Sequence, residues 1–294
     1  MMDFIAKPFG ALMEFIYNNL AFHNYGVAII IFTLFVKIVL LPLTVKQQRS
    51  MERQQMIQPE LEALQNKYKD DRKKLQEEQM NLYTKYNISP MSGCLPMLLQ
   101  FPIILAIYQI IRRPLTYIAG LSSGVVKELI GKVNETWANG RGWSGYEIQA
   151  NKHFIDQAAS FADLTGQSGQ WINMKFLKIF DLGETPKWKV WEYGDQWKIY
   201  LPLLLIPILA VATSYLQMFI SNRLNNANKK KDDKEQPALA GMNGMLKILP
   251  LMTLFIAFVV PAGLGFYWIV SNIFGILQTI LLKKLFNIKK EGSA

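Results

Sequence analysis

The sequence predicts an all-α membrane protein with five transmembrane helices around a hydrophilic groove open to the cytoplasm. A cytoplasmic helical hairpin and an N-terminal interfacial amphipathic helix complete the fold. Three observations predict it. First, the apolar residues come in blocks: 25–44 carries a single charge, Lys37, while 91–111, 199–222 and the 35 residues 248–282 carry none. Runs of about 18 or more apolar residues mark bilayer-spanning helices. Second, the basic residues fall unevenly among the joining segments. Third, the polar side chains inside the runs lie toward one end of each. With 51% hydrophobic residues arranged this way, a soluble globular protein and a disordered tail are both excluded. Cys94 is the only cysteine, so no internal disulfide forms, and two histidines, His23 and His153, argue against a His-based metal centre. No cofactor is expected.

The elements follow in order. Residues 1–24 hold the amphipathic helix, with Ile5, Phe9, Leu12, Met13, Ile16 and Leu20 on one face. A signal peptide is the alternative, but a basic n-region and an A-x-A-like site are lacking. Span one is 25–44. The polar stretch 45–90 steps through Ile57, Leu61, Leu64 and Tyr68, then Leu75, Leu82 and Tyr86. This predicts two short helices, the second capped by Asp70 or Asp71. Span two is 91–111, interrupted by Pro96 and Pro102. The insertion 112–197 is extracytoplasmic and holds six of the seven tryptophans, without a fold legible in its pattern. Span three is 198–221. A basic loop, 222–246, follows around Lys229–Lys231 and reads as disordered. As one straight helix the last run would be about 52 Å long, against a hydrocarbon core of about 30 Å. Pro261-Ala262-Gly263-Leu264-Gly265 divides it, so 247–283 forms spans four and five. Residues 284–294 are a basic tail.

Orientation follows from charge near the span ends. The hairpin, the 222–246 loop with its boundary Lys247, and the tail share one side for five spans. Counting the tail from after Leu282, so with Lys283, they carry nineteen Lys/Arg, against Lys7 alone in the N-terminal segment. These segments are therefore cytoplasmic and the N-terminus extracytoplasmic. Arg112 and Arg113 abut an outer span end and violate the rule locally.

Lys37 is the sharpest feature. A Lys near the centre of a membrane helix costs roughly 2.5–3.5 kcal/mol and is a functional candidate by default. Thr33 lies one turn away on the same face, and Gln100 lies at similar depth in span two. Thr213, Ser214, Gln217 and Ser221 stripe span three. Ser271, Gly275 and Gln278 share a face of span five, with Asn272 and Thr279 beside it. Polar residues of this kind also join packed membrane helices by hydrogen bonds, the plainer reading for any one of them. That reading leaves Lys37 unexplained, because no Asp or Glu lies in any span. A charge without a partner needs water, which predicts a wet groove. A polar peptide segment entering it would cross only the outer part of the bilayer. The fixed charge would attract acidic side chains of that segment.

Three stretches, VKIVLLPLTVKQ (36–47), NISPMSGCLPMLLQFPIILAIYQ (87–109) and PAGLGFYWIVSNIFGILQ (261–278), resemble the YidC family of membrane protein insertases. The order of span, hairpin, span, span and closing pair resembles that family too. The resemblance implies a five-span core with a hydrophilic groove and one positive charge in the first span. There the family usually has Arg and this chain has Lys37, a point charge instead of a bidentate fork. Gln100 matches a groove-lining position. The substrate-contacting set is then Lys37, Thr33, Gln100, Ser214, Gln217, Ser271 and Gln278. The resemblance further implies nascent membrane proteins as substrates, membrane lipids as surroundings, and the ribosome and the Sec translocon as partners. The basic loop and tail would attract ribosomal RNA, or would only set topology and bind anionic lipid. A lipoprotein signal is lacking, and the outer insertion falls between spans two and three instead of before the first. The expectation is a multi-pass plasma-membrane protein of Gram-positive type. A solute transporter anchoring its substrate on Lys37 is the alternative, but the two halves show no repeat. An enzyme is not expected, since no span carries His, Asp or Glu and neither G-x-S-x-G nor H-E-x-x-H occurs.

Overall fold

The computed structural model describes residues 2–88, 95–133, 146–189, 191, 194, 197–225 and 250–291. Cys94, Trp137, Trp143, the Lys229–Lys231 run, the beginnings of the second and fourth expected spans and the last three residues lie outside the described residues.

The chain is mostly helical. Helix α1 (Met2–Asn19) packs against α2 (Tyr25–Val39) and α6 (Leu95–Arg112). It buries Ala6, Met13, Ile16 and Tyr17, while Leu20 of the expected face is 48% exposed. The buried stripe is rotated toward the small residues because Gly10 meets the Tyr117 ring. A Cβ there would lie 2.8 Å from Tyr117 Cδ1. Asn24 caps α2 by accepting a hydrogen bond from Val27 N at 3.1 Å.

Helix α2 ends at Val39, and the chain bends by 60° into α3 (Leu41–Met56). The bend has a covalent cause: Pro42 brings no N–H for the Ile38 carbonyl, which is bonded instead by the Leu40 N–H. The expected span 25–44 is thus a 15-residue helix followed by a bend. Helices α4 (Gln58–Lys67) and α5 (Arg72–Lys85) pair beyond α3. Asp71 caps α5, accepting from Lys74 N at 3.1 Å. Ile57, Leu61, Leu82 and Ile88 form a small core of their own.

After α6 come α7 (Pro114–Tyr117), α8 (Ser123–Val133), α9 (Tyr146–Asp156) and α10 (Phe161–Thr165). Leu115, Leu121, Val126, Leu129, Ala150, Phe154, Phe161 and Trp171 make a second core. A two-stranded antiparallel ribbon follows, β1 (Lys175–Phe176) and β2 (Phe180–Asp181), the one departure from an all-helical reading among the described residues. The ribbon segment satisfies backbone donors that helix starts leave open. Tyr25 N donates to Asn173 O at 3.1 Å, Gly263 N to Leu182 O at 2.8 Å and Ala262 N to Glu184 O at 2.7 Å.

Helix α11 (Trp197–Leu203) runs into α12 (Leu205–Asn225). A helical stretch α13, 250–257, is followed by a turn at 258–260 and Pro261, and then by α14 (Ala262–Glu291). Among the described residues two helices are long and apolar enough to cross a membrane, Trp197–Leu224 and Ala262–Leu285. The bent pair Tyr25–Val39 and Leu41–Gln54 passes the same test as one unit, and Gln100–Arg112 is apolar but shorter. Helix α14 is central, packing against α12, α2 and α6.

The two arginines at the C-terminal end of α6 are half-buried and find partners within the protein. Arg112 hydrogen-bonds Tyr108 Oη and lies over its ring, 4.9 Å from the centroid. Arg113 pairs with the buried Glu147 at 3.2 Å, and Thr116 donates to Glu147 from both N (2.9 Å) and Oγ1 (2.7 Å).

Candidate functional site: the polar faces of α14

At about 100° per residue, Tyr267, Ser271 and Gln278 fall on one face of α14, and Gly275, Asn272 and Thr279 on the next. Each face meets a different helix. On the first, Gln100 of α6 donates through Nε2 to Tyr267 Oη at 2.7 Å, and the Ser271 hydroxyl hydrogen-bonds the same phenol. Tyr267 is 1% and Ser271 7% exposed, so this node ties α6 to α14 inside the protein. Gln278 follows two turns on, with its Nε2 buried and without a protein partner among the described residues.

The second face meets α12. Asn272 Nδ2 donates to Thr213 Oγ1 at 3.0 Å and to Ser214 Oγ at 2.9 Å. Ser214 donates onward to Ala210 O at 2.8 Å. Gln217 lies against Gly275, where a Cβ would come within 2.5 Å of its Nε2. Glycine here lets the amide of α12 approach the backbone of α14, which a side chain would prevent.

Of the predicted residues, the structure brings Gln100 and Ser271 together through Tyr267. It sets Ser214 and Gln217 on the α12–α14 seam. Thr33 is 1% exposed and its hydroxyl bonds Ile29 O of its own helix at 2.6 Å. Lys37 occupies the last turn of α2, just before the bend, where the helix dipole favours a cation. It is half-buried at the rim of the buried face of α2. Val36 beside it is buried, while Leu34, Phe35, Ile38 and Val39 are 42–59% exposed. No carboxylate or hydrogen-bond acceptor partners Lys37 among the described residues. On α3, Gln47 is also buried, with its Nε2 unpartnered among the described residues.

Tyr267 and Gln47 were not singled out in the sequence. Tyrosine counts as apolar in a run, and its place four residues before Ser271 was the available signal. Three cavities, of about 470, 550 and 280 Å³, lie in the insertion and α1–α2 turn, between α4 and α5, and beside Glu147; none is lined by a predicted groove residue. Among the described residues no three His, Cys, Asp or Glu cluster where they could hold a metal.

The comparisons with known proteins agree with one another. The profile of the family described as "60Kd inner membrane protein" matches residues 15–291. A protein of Clostridium tetani named membrane protein insertase YidC is 31% identical over 263 residues, covering 90% of this chain and 83% of its own. One named YidC 2 from Bacillus anthracis is 29% identical over 292 residues, with 96% and 80% covered. One from Wolinella succinogenes is 29% identical over 294 residues, the whole of this chain and 39% of its own length. The chain belongs to the 60Kd inner membrane protein family, the family of the YidC proteins.

Proposed function

We propose that this chain is a membrane protein insertase and chaperone. It moves hydrophilic segments of nascent membrane proteins across the bilayer and releases their hydrophobic segments sideways into lipid. The reading takes the protein as five spans with hairpin, basic loop and tail in the cytoplasm and the N-terminus outside. Its working surface is an inner-leaflet groove lined by Lys37, Thr33, Gln100, Ser214, Gln217, Ser271 and Gln278. Lys37 is the transient contact for acidic residues of the substrate, and no bond is made or broken. The ribosome and the Sec translocon are the proposed partners in delivery.

The observation that carries the reading is Lys37 itself, a membrane-helix cation without a carboxylate partner among the described residues. Buried donors without protein partners among the described residues, Gln278 Nε2 and Gln47 Nε2, support a hydrated interior, since each would cost about 1–3 kcal/mol if kept dry. The Gln100–Tyr267–Ser271 node supplies a fixed polar wall on the same face of α14 as Gln278, two turns before it. The names of the Clostridium tetani and Bacillus anthracis proteins support the activity.

The test is reconstitution of the purified chain in liposomes with a small substrate that has a short acidic translocated tail, read by protease protection of that tail. Lys37→Arg retains protection and Lys37→Ala loses most of it. Equal protection with Lys37→Ala, Lys37→Glu and the unaltered chain over several such substrates removes Lys37 from the mechanism.

A further inference from the structure

We propose that the ribbon Lys175–Asp181, with Trp188, Trp191 and Trp197, forms a foot that seats in the headgroup layer of the membrane and takes anionic phospholipid. The height of the ribbon is fixed by the backbone. Its flanks bond Tyr25 N, Ala262 N and Gly263 N, the first residues of α2 and α14, so it lies level with the ends of the membrane helices. Phe176 locks that position, its ring 4.8 Å from that of Phe266 and packed onto Gly26, where a Cβ would lie 2.3 Å from Phe176 Cδ2.

What the ribbon presents beyond that lock is apolar. Leu177 and Ile179 at the tip are 64% and 58% exposed, with the exposed Lys178 between them. Leu177 and Lys178 both have positive φ, 50° and 60°, a conformation that side chains of this size rarely adopt and that closes the turn of the ribbon. The chain from β2 to α11 then exposes Trp188 (62%) and Trp191 (68%), their rings edge-to-face at 6.1 Å. Trp197 (45%) opens the membrane helix Trp197–Leu224 and belongs to α11, which packs on β2. Leu177, Ile179, Trp188, Trp191 and Trp197 are thus five large apolar side chains left uncovered on the segment that runs from the ribbon at the helix starts into the membrane helix Trp197–Leu224, the kind of exposure that marks an interaction surface. Tryptophan belongs at this depth because its ring is apolar and its N–H polar. Lysine stems lie along apolar surface while the ammonium reaches headgroup phosphates; Lys175, Lys178 and Lys198 are exposed there.

The test uses the full chain with Cys94→Ser in nanodiscs of phosphatidylcholine and phosphatidylglycerol. Nitroxides are placed singly through Leu177→Cys and Ile179→Cys, with Phe219→Cys on the exposed face of α12 and Ser168→Cys on an exposed loop as references. At 177 and 179 oxygen relaxes the label more than a water-soluble nickel chelate does, as at 219 and opposite to 168. Labels at 177 and 179 that behave like 168 overturn the proposal. Labels shielded from both reagents overturn it too, and indicate a protein contact. Omitting phosphatidylglycerol raises nickel access at both sites; no change removes the anionic lipid from the proposal. The foot rests on the proposed membrane orientation only for which leaflet it enters. Because the depth readout is blind to side, its failure and a failure of the Lys37 assay are independent.

Discussion

The hairpin and the insertion hang from opposite ends of the same helices and are held in different ways. The hairpin relies on four side chains, Ile57, Leu61, Leu82 and Ile88, and on polar contacts at its rim: Tyr86 Oη donates to Glu60, and Lys85 lies 3.9 Å from the same carboxylate. The insertion has a core twice that size, and its backbone finishes the hydrogen bonding of α2 and α14. The difference is more than the number of buried side chains. A segment that satisfies the open N–H groups of its neighbours cannot leave without exposing them, so the insertion unfolds with the membrane helices. A two-helix arm that satisfies only itself opens alone.

The largest expected effects break this comparison directly. Leu129→Ala empties a fully buried position of the second core and costs about 3 kcal/mol of the main unfolding transition. Leu82→Ala in the hairpin leaves that transition in place and speeds amide exchange in α4 and α5 alone. Thermal unfolding and hydrogen exchange of the purified protein decide between them. If Leu82→Ala lowers the main midpoint as much as Leu129→Ala, the arm is no separate unit.

Asn151 comes next. Its side chain clamps the backbone of Ile172 at both ends, with Nδ2 donating to the carbonyl and Oδ1 accepting from the N–H, each at 2.8 Å. Asn151→Leu keeps the volume and leaves two buried backbone groups unpaired, an expected loss of about 2–4 kcal/mol. Exchange should quicken at Tyr25 and Gly263, the helix starts that the 173–184 segment covers. Unchanged protection there would show that the ribbon holds without the clamp.

These contacts show which parts of the fold the sequence could carry. The apolar runs, a cap at Asp70 or Asp71 and the break at Pro261 are properties of side chains in order, and they were legible; the structure chooses Asp71. The bend after Val39 was hidden because Pro42 sits within an apolar run that reads as continuous. The insertion was opaque because what docks it is bonding from backbone to backbone, such as Tyr25 N to Asn173 O, between residues far apart in the chain. Of the candidate site, Gln100, Ser271, Ser214 and Gln217 announced themselves as polar groups in apolar runs. Their pairing did not, since it passes through Tyr267 and Asn272, whose partners only the helix packing decides.

A smaller effect separates the two regions by pH. Burial pushes the Glu147 carboxyl above its ordinary range, and the donors Thr116 and Arg113 offset this only in part. A carboxyl raised in the folded state favours folding fully below its unfolded pKa, and that contribution is lost as pH rises through the folded value. The insertion therefore loses stability as pH rises above the ordinary carboxylate range. Glu147→Gln flattens that slope and leaves hairpin exchange unaltered, which melting curves across that window test.

The smallest effect concerns an ion pair between the hairpin base and the last helix, Lys283 Nζ to Glu52 Oε1 at 3.3 Å. Both side chains are only about a fifth exposed, so the pair is screened less than a surface ion pair, yet each must hold a long side chain in place. The expected coupling in a double-mutant cycle of Glu52→Gln and Lys283→Met is about 0.5–1 kcal/mol, weakening with added salt. Its location makes it informative despite its size. Glu52 lies on α3, between the bend that follows Lys37 and the hairpin, so the pair sets the angle at which the arm leaves the membrane helices. Loss of the pair should widen the range of distances between spin labels on α5 and α12 without moving the main melting transition. An unchanged distribution would mean that the bend at Pro42 alone fixes the arm.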